Sequence, residues 1–431
     1  MNFDNIRSRN NLDVISIIIL LIPTFIVLGN LTINLSCLIV IIFGISKFFK
    51  KLKGYFLFYK KSILFLLIFF FINISFSSDF FLSLKGFLGL FRYILFSAIL
   101  YIWFQENKNN FIFFLFSILV PIICVALSVY GEYLYLLYNN SPSESFNRIS
   151  GLFFDEKVAG SYISKLICIT LIFFTLYFKK FRFNNFKKSM VIIMLYFAVF
   201  LSLDRMPFIM TSLSLFIFIY FTKNIKFYQK AVSILIFLIF SFLAYINTPA
   251  IQGKTVYTLY QLGFNSLAEL LIAPAKYRNF SNQNFLETKW GSHFITAYEM
   301  GKNSFVVGNG IKTFRKDCSD KSFTSKRFNQ GSIEKRCATH PHNIYLELFS
   351  EAGIIGLFTF LYFHFLFIKK ILTSNKREEK LISLCIMIIL FFPIQTTGSY
   401  FSTFNGFFYF LNLPVILFIC SKKYFRKQNN R

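Results

Sequence analysis

The chain is built from long apolar runs separated by shorter polar stretches. We count twelve runs, and their lengths approach the roughly 17–25 residues that a helix needs to cross a bilayer. They are interpreted as helices, because a helix satisfies its own backbone hydrogen bonds in lipid. The runs lie near residues 13–30, 32–48, 62–77, 83–104, 111–132, 158–178, 189–203, 206–222, 231–248, 344–368, 381–398 and 403–420. This pattern predicts an all-α polytopic membrane protein.

Basic residues between the runs predict the orientation of the chain. They cluster in the segments 47–61, 179–188, 223–230, 369–380 and 422–431. With twelve spans, all five segments lie on the same side as both termini. Short cytoplasmic loops carry an excess of Lys and Arg, so we expect both termini to be cytoplasmic.

Three polar stretches then lie outside the cytoplasm: 133–157, the short turn 204–206 and the long segment 249–343. The long segment mixes aromatic, charged and Gly residues, which favours a small folded cap over a linker. The predicted organisation is therefore helices 1–9 in residues 1–248, an external loop or cap in 249–343, and helices 10–12 with a basic cytoplasmic tail in 344–431.

Composition supports a membrane protein. Of the 431 residues, 55% are hydrophobic and only 15% are charged. The formal net charge of +27 could indicate a nucleic-acid partner. The lysines, however, concentrate in short loops between apolar runs, which is typical of cytoplasmic loops beside membrane lipids. We therefore predict no nucleic-acid partner.

The cysteines form two groups. Five of the seven lie in apolar runs and are interpreted as packing residues: Cys37, Cys124, Cys168, Cys385 and Cys420. Cys318 and Cys337 are the two cysteines of the long polar segment. If that segment lies outside the cytoplasm, a disulfide between them is favoured, and the alternative is two free thiols.

A second feature is the stretch "CATHPHNIYLELFSEAGIIG", which runs from a polar loop into the tenth apolar run. His342 stands at the predicted helix start, with Asn343 as its N-cap. A helix N-terminus favours anions, and an imidazole exchanges a proton near neutral pH. His342 is therefore a candidate catalytic residue. The alternative is an interfacial histidine that only caps the helix. His340 is interpreted as a neighbour that shapes the turn at Pro341.

The same helix carries a carboxylate and two glycines within its apolar sequence. A buried charge is costly in a membrane unless it is paired or neutral, so Glu351 is interpreted as an internal hydrogen-bond anchor rather than a catalyst. Gly353 and Gly356 predict a surface for close helix contact. We expect all three residues to support the site structurally.

External arginines are candidate binding groups for an anion. Arg205 lies beside Asp204 in a tight turn, and its planar guanidinium suits a phosphate. The alternative for Arg205 is an ion pair with Asp204 or an interfacial position. Arg148, Arg278 and Arg315 are further external cations, each of which could equally be a solvated surface charge.

Two other patterns have weaker implications. The glycines of "FVVGNGIKTFR" lack the strand and helix of a nucleotide-binding loop, so they predict a turn in the cap. Lys85 and Arg92 are seven residues apart and share one face of the fourth run. Charges within a span usually face the protein interior or a cavity.

Taken in this order, the motifs resemble the O-antigen ligase and O-antigen polymerase superfamily of bacterial membrane glycosyltransferases. "THPHNIYLELFSEAGIIG" is similar to the family hallmark, a His-Asn pair that leads into a helix with Glu-x-Gly-x-x-Gly. "RISGLFFDEKVAGSY", "DRMP" and "HFITAYEMGKNSFVVGNGIKTFR" are similar to further blocks. The resemblance covers residues 148 to about 370. The sequence departs from the family pattern at Asp204 and at His293, near which an arginine is expected.

The resemblance implies about twelve transmembrane helices in the bacterial inner membrane, with a large periplasmic loop between helices 9 and 10. It implies an active site that faces the periplasm and takes glycan from an undecaprenyl-diphosphate-linked donor. No metal ion, nucleotide sugar or other cofactor is implied. Arg205, with Arg148, Arg278 or Arg315, would stabilise the diphosphate leaving group. His342 would act as general base on the acceptor hydroxyl, or alternatively would hold the diphosphate.

Four functions remain open. We favour a ligase that moves finished polysaccharide onto lipid A-core. A polymerase that joins repeat units would use the same donor with a glycan acceptor. A transporter of an anionic solute would place its charges near mid-bilayer, whereas the polar residues here cluster at the external surface. A purely structural role leaves the arginine turn and the histidine helix start unexplained.

Overall fold

The structure is a computed structural model. It describes residues 13–139, 148–177, 185–222, 227–247, 251–253, 255–256, 259, 285–325, 332–374, 376–396 and 398–421. Arg278 therefore lies outside the described residues, as do the basic tail and parts of the predicted external segments.

Within those ranges the chain is helical, and no strand occurs in them. The helices are α1 (Val14–Val27), α2 (Asn30–Phe58), α3 (Lys60–Ser75), α4 (Phe80–Glu106), α5 (Lys108–Tyr138), α6 (Ala159–Ile172), α7 (Asn185–Leu201), α8 (Arg205–Phe221), α9 (Phe227–Asn247), α10 (Lys289–Asn303), α11 (Phe314–Asp317), α12 (Ile333–Arg336), α13 (Ile344–Leu372), α14 (Arg377–Phe391) and α15 (Thr403–Ile419). The all-α class is confirmed, and each of the twelve apolar runs overlaps a helix.

Five helices of the described chain are long and apolar enough to cross a membrane: α2, α4, α5, α13, and α6 together with the turn that continues it to Leu176. Helices α1, α8 and α15 are apolar but shorter. The count of twelve spans, and the placement of the long loop between the ninth and tenth, stay predictions.

The helices pack around one large apolar core. Helix α15 lies along α4, and α2 packs against both α1 and α4. Helix α6 is central, because α5, α7, α8 and α14 all contact it. Its largest fully buried side chain, Tyr162, donates a hydrogen bond to the Pro23 carbonyl of α1 at 2.8 Å.

Helix α13 is interrupted at Gly353, which has a φ of +64°. The break frees the backbone N–H of Ile354, which donates to the Phe305 carbonyl at 2.8 Å. A Cβ at Gly353 would lie 2.6 Å from the backbone nitrogen of Gly308, so only a glycine fits here. The second helix glycine, Gly356, faces Phe69 of α3, whose ring would lie 3.4 Å from a Cβ. Of the two glycines predicted to permit close helix contact, Gly353 therefore contacts a loop.

The described part of the 249–343 segment packs on α13 mainly through α10. It has a small apolar cluster of its own, formed by Ala297, Met300, Phe314 and Cys318. Cys318 and Cys337 are joined by a disulfide, with their Cα atoms 5.3 Å apart. This bond closes the loop between α11 and α12.

The same segment is fixed to the turn between α3 and α4. Ser78 donates its backbone N–H to the Asn309 carbonyl at 3.0 Å, and its hydroxyl donates to Asp317 at 2.7 Å. Asp79 pairs with Lys316 at 3.1 Å. These contacts bring the end of α3, the start of α4 and the bend of α13 to one end of the helix bundle.

Candidate active site

His342 lies in the tight turn that immediately precedes α13. Its φ is +60°, a conformation that residues other than glycine rarely adopt. Asn343 follows as the N-cap, and its side chain accepts the N–H groups of Tyr345 at 3.0 Å and Leu346 at 3.1 Å. The Asn343 amide also donates to the Pro393 carbonyl at 2.8 Å. One side chain thus caps α13 and joins it to the loop before α15.

An aromatic cluster surrounds the His342 ring. The ring centroid lies 4.5 Å from Trp290 in an edge-on contact, 5.3 Å from His293 in a stacked contact and 4.1 Å from His340. Trp290 and His293 both belong to α10. Sequence reasoning missed Trp290, although its spacing of three from His293 places both on one helix face.

His293 is fully buried, and neither ring nitrogen has a hydrogen-bond partner. Burial lowers its pKa from 6.5 to about 4, and the positive charges of Lys289 and His340 act in the same direction. The backbone of Cys337 raises the pKa of His293, but its position does not meet the geometry of a hydrogen bond. The position near which the family pattern expects an arginine is therefore an uncharged part of the wall around His342.

Arg205 is the first residue of α8, directly after Asp204. Arg148 approaches the same turn, with its Nη2 3.6 Å from Asp204 Oδ1. The two chain segments are held together by the Ile149 N–H, which donates to the Ser202 carbonyl at 3.1 Å. The structure thus brings Arg148, through Asp204, to the turn that carries Arg205.

Two carboxylates of α13 are buried one turn apart. Glu351 accepts the backbone N–H groups of Lys312 at 2.6 Å and Phe314 at 3.3 Å. Glu347 accepts the Tyr400 N–H at 2.7 Å and the Ser399 hydroxyl. Sequence reasoning missed Glu347, although its spacing of four from Glu351 places both carboxylates on one helix face.

Arg315 is an exposed residue of α11, within electrostatic range of both carboxylates. Arg315 therefore belongs to the segment that Glu351 holds in place. It is separate in sequence from the turn of Arg148 and Arg205, and its neighbours are different. Among the described residues, no group of three or more His, Cys, Asp or Glu side chains is placed to hold a metal ion.

Residues 189–361 match the family model described as O-Antigen ligase. This segment of the chain is similar to the O-antigen ligase family. This match confirms the resemblance derived from the motifs and supports membership of the O-antigen ligase superfamily. No curated protein matches the chain.

The matched segment includes Arg205, His342 and Glu351, and it begins after Arg148. Together with the long apolar helices, the match indicates a multi-pass membrane protein. In the described part of this segment, Asn343, Glu347 and Glu351 hold backbone groups in place. His342 and Arg205 lie at the turns before α13 and α8, and both are half-buried.

Proposed function

We propose that the protein transfers polysaccharide from undecaprenyl diphosphate to lipid A-core at the periplasmic face of the bacterial inner membrane, without a metal cofactor. The observation that carries the proposal is the position of His342. It lies within the O-antigen ligase match, in a strained turn at the start of α13, and its ring is held by Trp290 and two histidines.

His342 acts as the general base in this proposal. Its ring takes the proton of the acceptor hydroxyl while the hydroxyl oxygen forms a bond to the anomeric carbon of the donor glycan. The bond between that carbon and the diphosphate oxygen breaks, and undecaprenyl diphosphate leaves with the electron pair. Binding both substrates at one end of the bundle supplies proximity.

Arg205 stabilises the negative charge that develops on the leaving diphosphate. Arg148 approaches the same turn and pairs with Asp204. A fixed guanidinium offers two parallel N–H donors to phosphate oxygens, and a lysine does not. Arg205→Lys should therefore lower transfer at least about tenfold, because one good charge-assisted hydrogen bond is worth roughly that factor. Lys302→Gln, an exposed charge of α10, is the control.

The test compares the wild type, a deletion and His342→Ala on a lipopolysaccharide gel, together with the lipid-linked glycan pool. We expect the deletion and His342→Ala to lose all glycan bands on lipid A-core, while long polymer accumulates on the lipid carrier. His364→Gln, a histidine further along α13, serves as the control.

Two other outcomes have defined meanings. If the mutants retain core that bears a single repeat unit, the protein is a polymerase that uses the same donor. If His342→Ala behaves like the wild type although the deletion does not, His342 is not the base.

A further inference from the structure

A cavity of about 500 Å³ opens between α2, α4, the loop before α11 and the start of α15. Its polar lining comes from Asn34, Lys85, Arg92, Tyr93, Lys312 and Thr403. Neither His342 nor the turn of Arg205 contributes to this lining. The cavity is therefore a feature separate from the residues to which we assign the transfer chemistry.

The charge of the lining is entirely positive. Lys85 and Arg92 share one face of α4, and Lys312 adds a third cation from the loop, whereas no Asp or Glu lines the cavity. In the described chain, no carboxylate forms an ion pair with any of these three side chains. Three cations in one recess, none of them in an ion pair within the described chain, favour binding of an anion.

Lys312 is held in the lining by its backbone. Its φ is +65°, and its N–H is bound by Glu351. Burial lowers the pKa of Lys312, and the positive charges of Arg315 and Lys85 also lower it, while Glu351 and Glu347 raise it. A bound anion would favour the charged form of this lysine.

Arg92 provides an open hydrogen-bond donor. Its guanidinium lies over the Tyr93 ring at 4.7 Å, and one Nη donates to the Tyr93 hydroxyl at 2.9 Å. The Nε of Arg92 is buried and has no partner. Buried polar atoms are normally hydrogen-bonded, so this N–H indicates a ligand with acceptor oxygens.

Asn34 provides an open acceptor in the same cavity. Its Oδ1 is buried without a partner, so it can accept a hydrogen bond from a hydroxyl group of a ligand. The rim carries the exposed apolar side chains of Phe81 and Leu88, which suit the hydrocarbon of a lipid. The recess thus combines sites for phosphate, for hydroxyl and for an acyl or prenyl chain.

We propose that this cavity binds the phosphorylated sugar head group of a lipid substrate, with phosphate on Lys85, Arg92 and Lys312 and a sugar hydroxyl on Asn34. The inference rests on the proposed function for the nature of the lipids. Phosphate chemistry is common to the acceptor, lipid A-core, and to the diphosphate-linked donor. Because Arg205, which does not line this cavity, is assigned to the diphosphate of the donor, the acceptor is the expected occupant.

Binding measurements with the purified full-length protein in nanodiscs test the proposal. The probes are lipid A with both phosphates, enzymatically dephosphorylated lipid A, and undecaprenyl diphosphate. Lys85→Gln and Lys312→Gln should each weaken binding of bisphosphorylated lipid A about tenfold, the usual scale for one charge-assisted hydrogen bond. Lys316→Gln removes a neighbouring charge of α11 that pairs with Asp79 outside the cavity, and should bind like the wild type.

The probes distinguish the sources of the phosphate. A loss confined to bisphosphorylated lipid A assigns the cavity to the acceptor, and a loss confined to undecaprenyl diphosphate assigns it to the donor head group. If the lysine variants bind both phosphorylated lipids like the wild type, or if the wild type binds dephosphorylated lipid A equally well and does not bind undecaprenyl diphosphate, the cavity is not a phosphate site.

The same experiment separates this inference from the proposed function. Arg205→Lys should reduce transfer while leaving the affinity for bisphosphorylated lipid A unchanged. If the protein proves not to transfer glycan but the lysine variants still lose affinity for a phosphorylated lipid, only the proposed function fails. Asn34→Asp, which adds a negative charge to the lining, should weaken binding of the same lipid and tests the cavity without altering a cation.

Discussion

The carboxylate of Glu351 accepts the backbone N–H of Lys312 at 2.6 Å. This one contact joins the two regions to which we assign function. Glu351 lies on the helix that begins just after His342, and Lys312 lines the cationic cavity. The loop before α11 is therefore held against the same rigid element that positions the candidate base.

Glu351→Gln should destabilise the protein without directly removing a substrate contact. The amide retains one acceptor oxygen and places an NH₂ group where a second backbone N–H needs an acceptor. A buried donor left without a partner costs about 1–3 kcal/mol. Thermal unfolding in detergent should show a lower midpoint, and Glu299→Gln, which removes a half-buried carboxylate paired with Lys302, should not. An unchanged midpoint for Glu351→Gln would show that its two hydrogen bonds do not stabilise the loop.

Gly353→Ala should be among the most damaging single changes in α13. The new Cβ would lie 2.6 Å from the Gly308 nitrogen, and the positive φ adds strain for any L side chain. We expect reduced yield of folded protein by size-exclusion chromatography and loss of lipopolysaccharide bands. Gly54→Ala in α2 is the matched control, because a Cβ at Gly54 would have no atom within 4 Å. Equal behaviour of the two variants would contradict the observed close packing.

Removing the Cys318–Cys337 disulfide should loosen the segment between α11 and α12. Closing a loop with a sequence separation of 19 stabilises a fold by about 3 kcal/mol in the chain-entropy view. The double change to Ser should raise the rate of proteolysis in this segment, whereas Cys124→Ser, at an exposed free cysteine, should not. Maleimide labelling of Cys318 and Cys337 only after reduction would establish that the bond forms in cells. Labelling without reduction would contradict it.

His293 should make stability depend on pH. Its pKa is about 4 in the folded protein and 6.5 when exposed, so between these values the unfolded chain binds more protons. The contribution of His293 to the free energy of unfolding is therefore fully present above about pH 6.5. It decreases as the pH falls toward 4. The melting temperature in detergent should fall over that window, and less so for His293→Gln. Trp290→Phe changes a neighbouring ring but no titrating group, so it should keep the wild-type slope. An identical slope in all three proteins would exclude His293 as the source.

Local signals were sufficient for several features. The helices follow from the length of apolar runs, because a chain in lipid must satisfy its backbone hydrogen bonds within each segment. The cap at Asn343 also follows from sequence, since its capping hydrogen bonds reach only Tyr345 and Leu346. The motif around His342 was specific enough to indicate the family that the domain match later supported.

Contacts between distant segments were decided by the tertiary structure alone. Trp290 and His293 surround His342, and Lys312 joins Lys85 and Arg92 around one cavity. Glu347 gave no signal that it would hold the backbone at Tyr400. The apolar pattern of a segment predicts which of its residues are buried. It does not predict which other segment of the chain packs against them. The packing partner depends on the whole fold. At the bend of α13, for example, Gly353 allows the loop at Gly308 to approach closely.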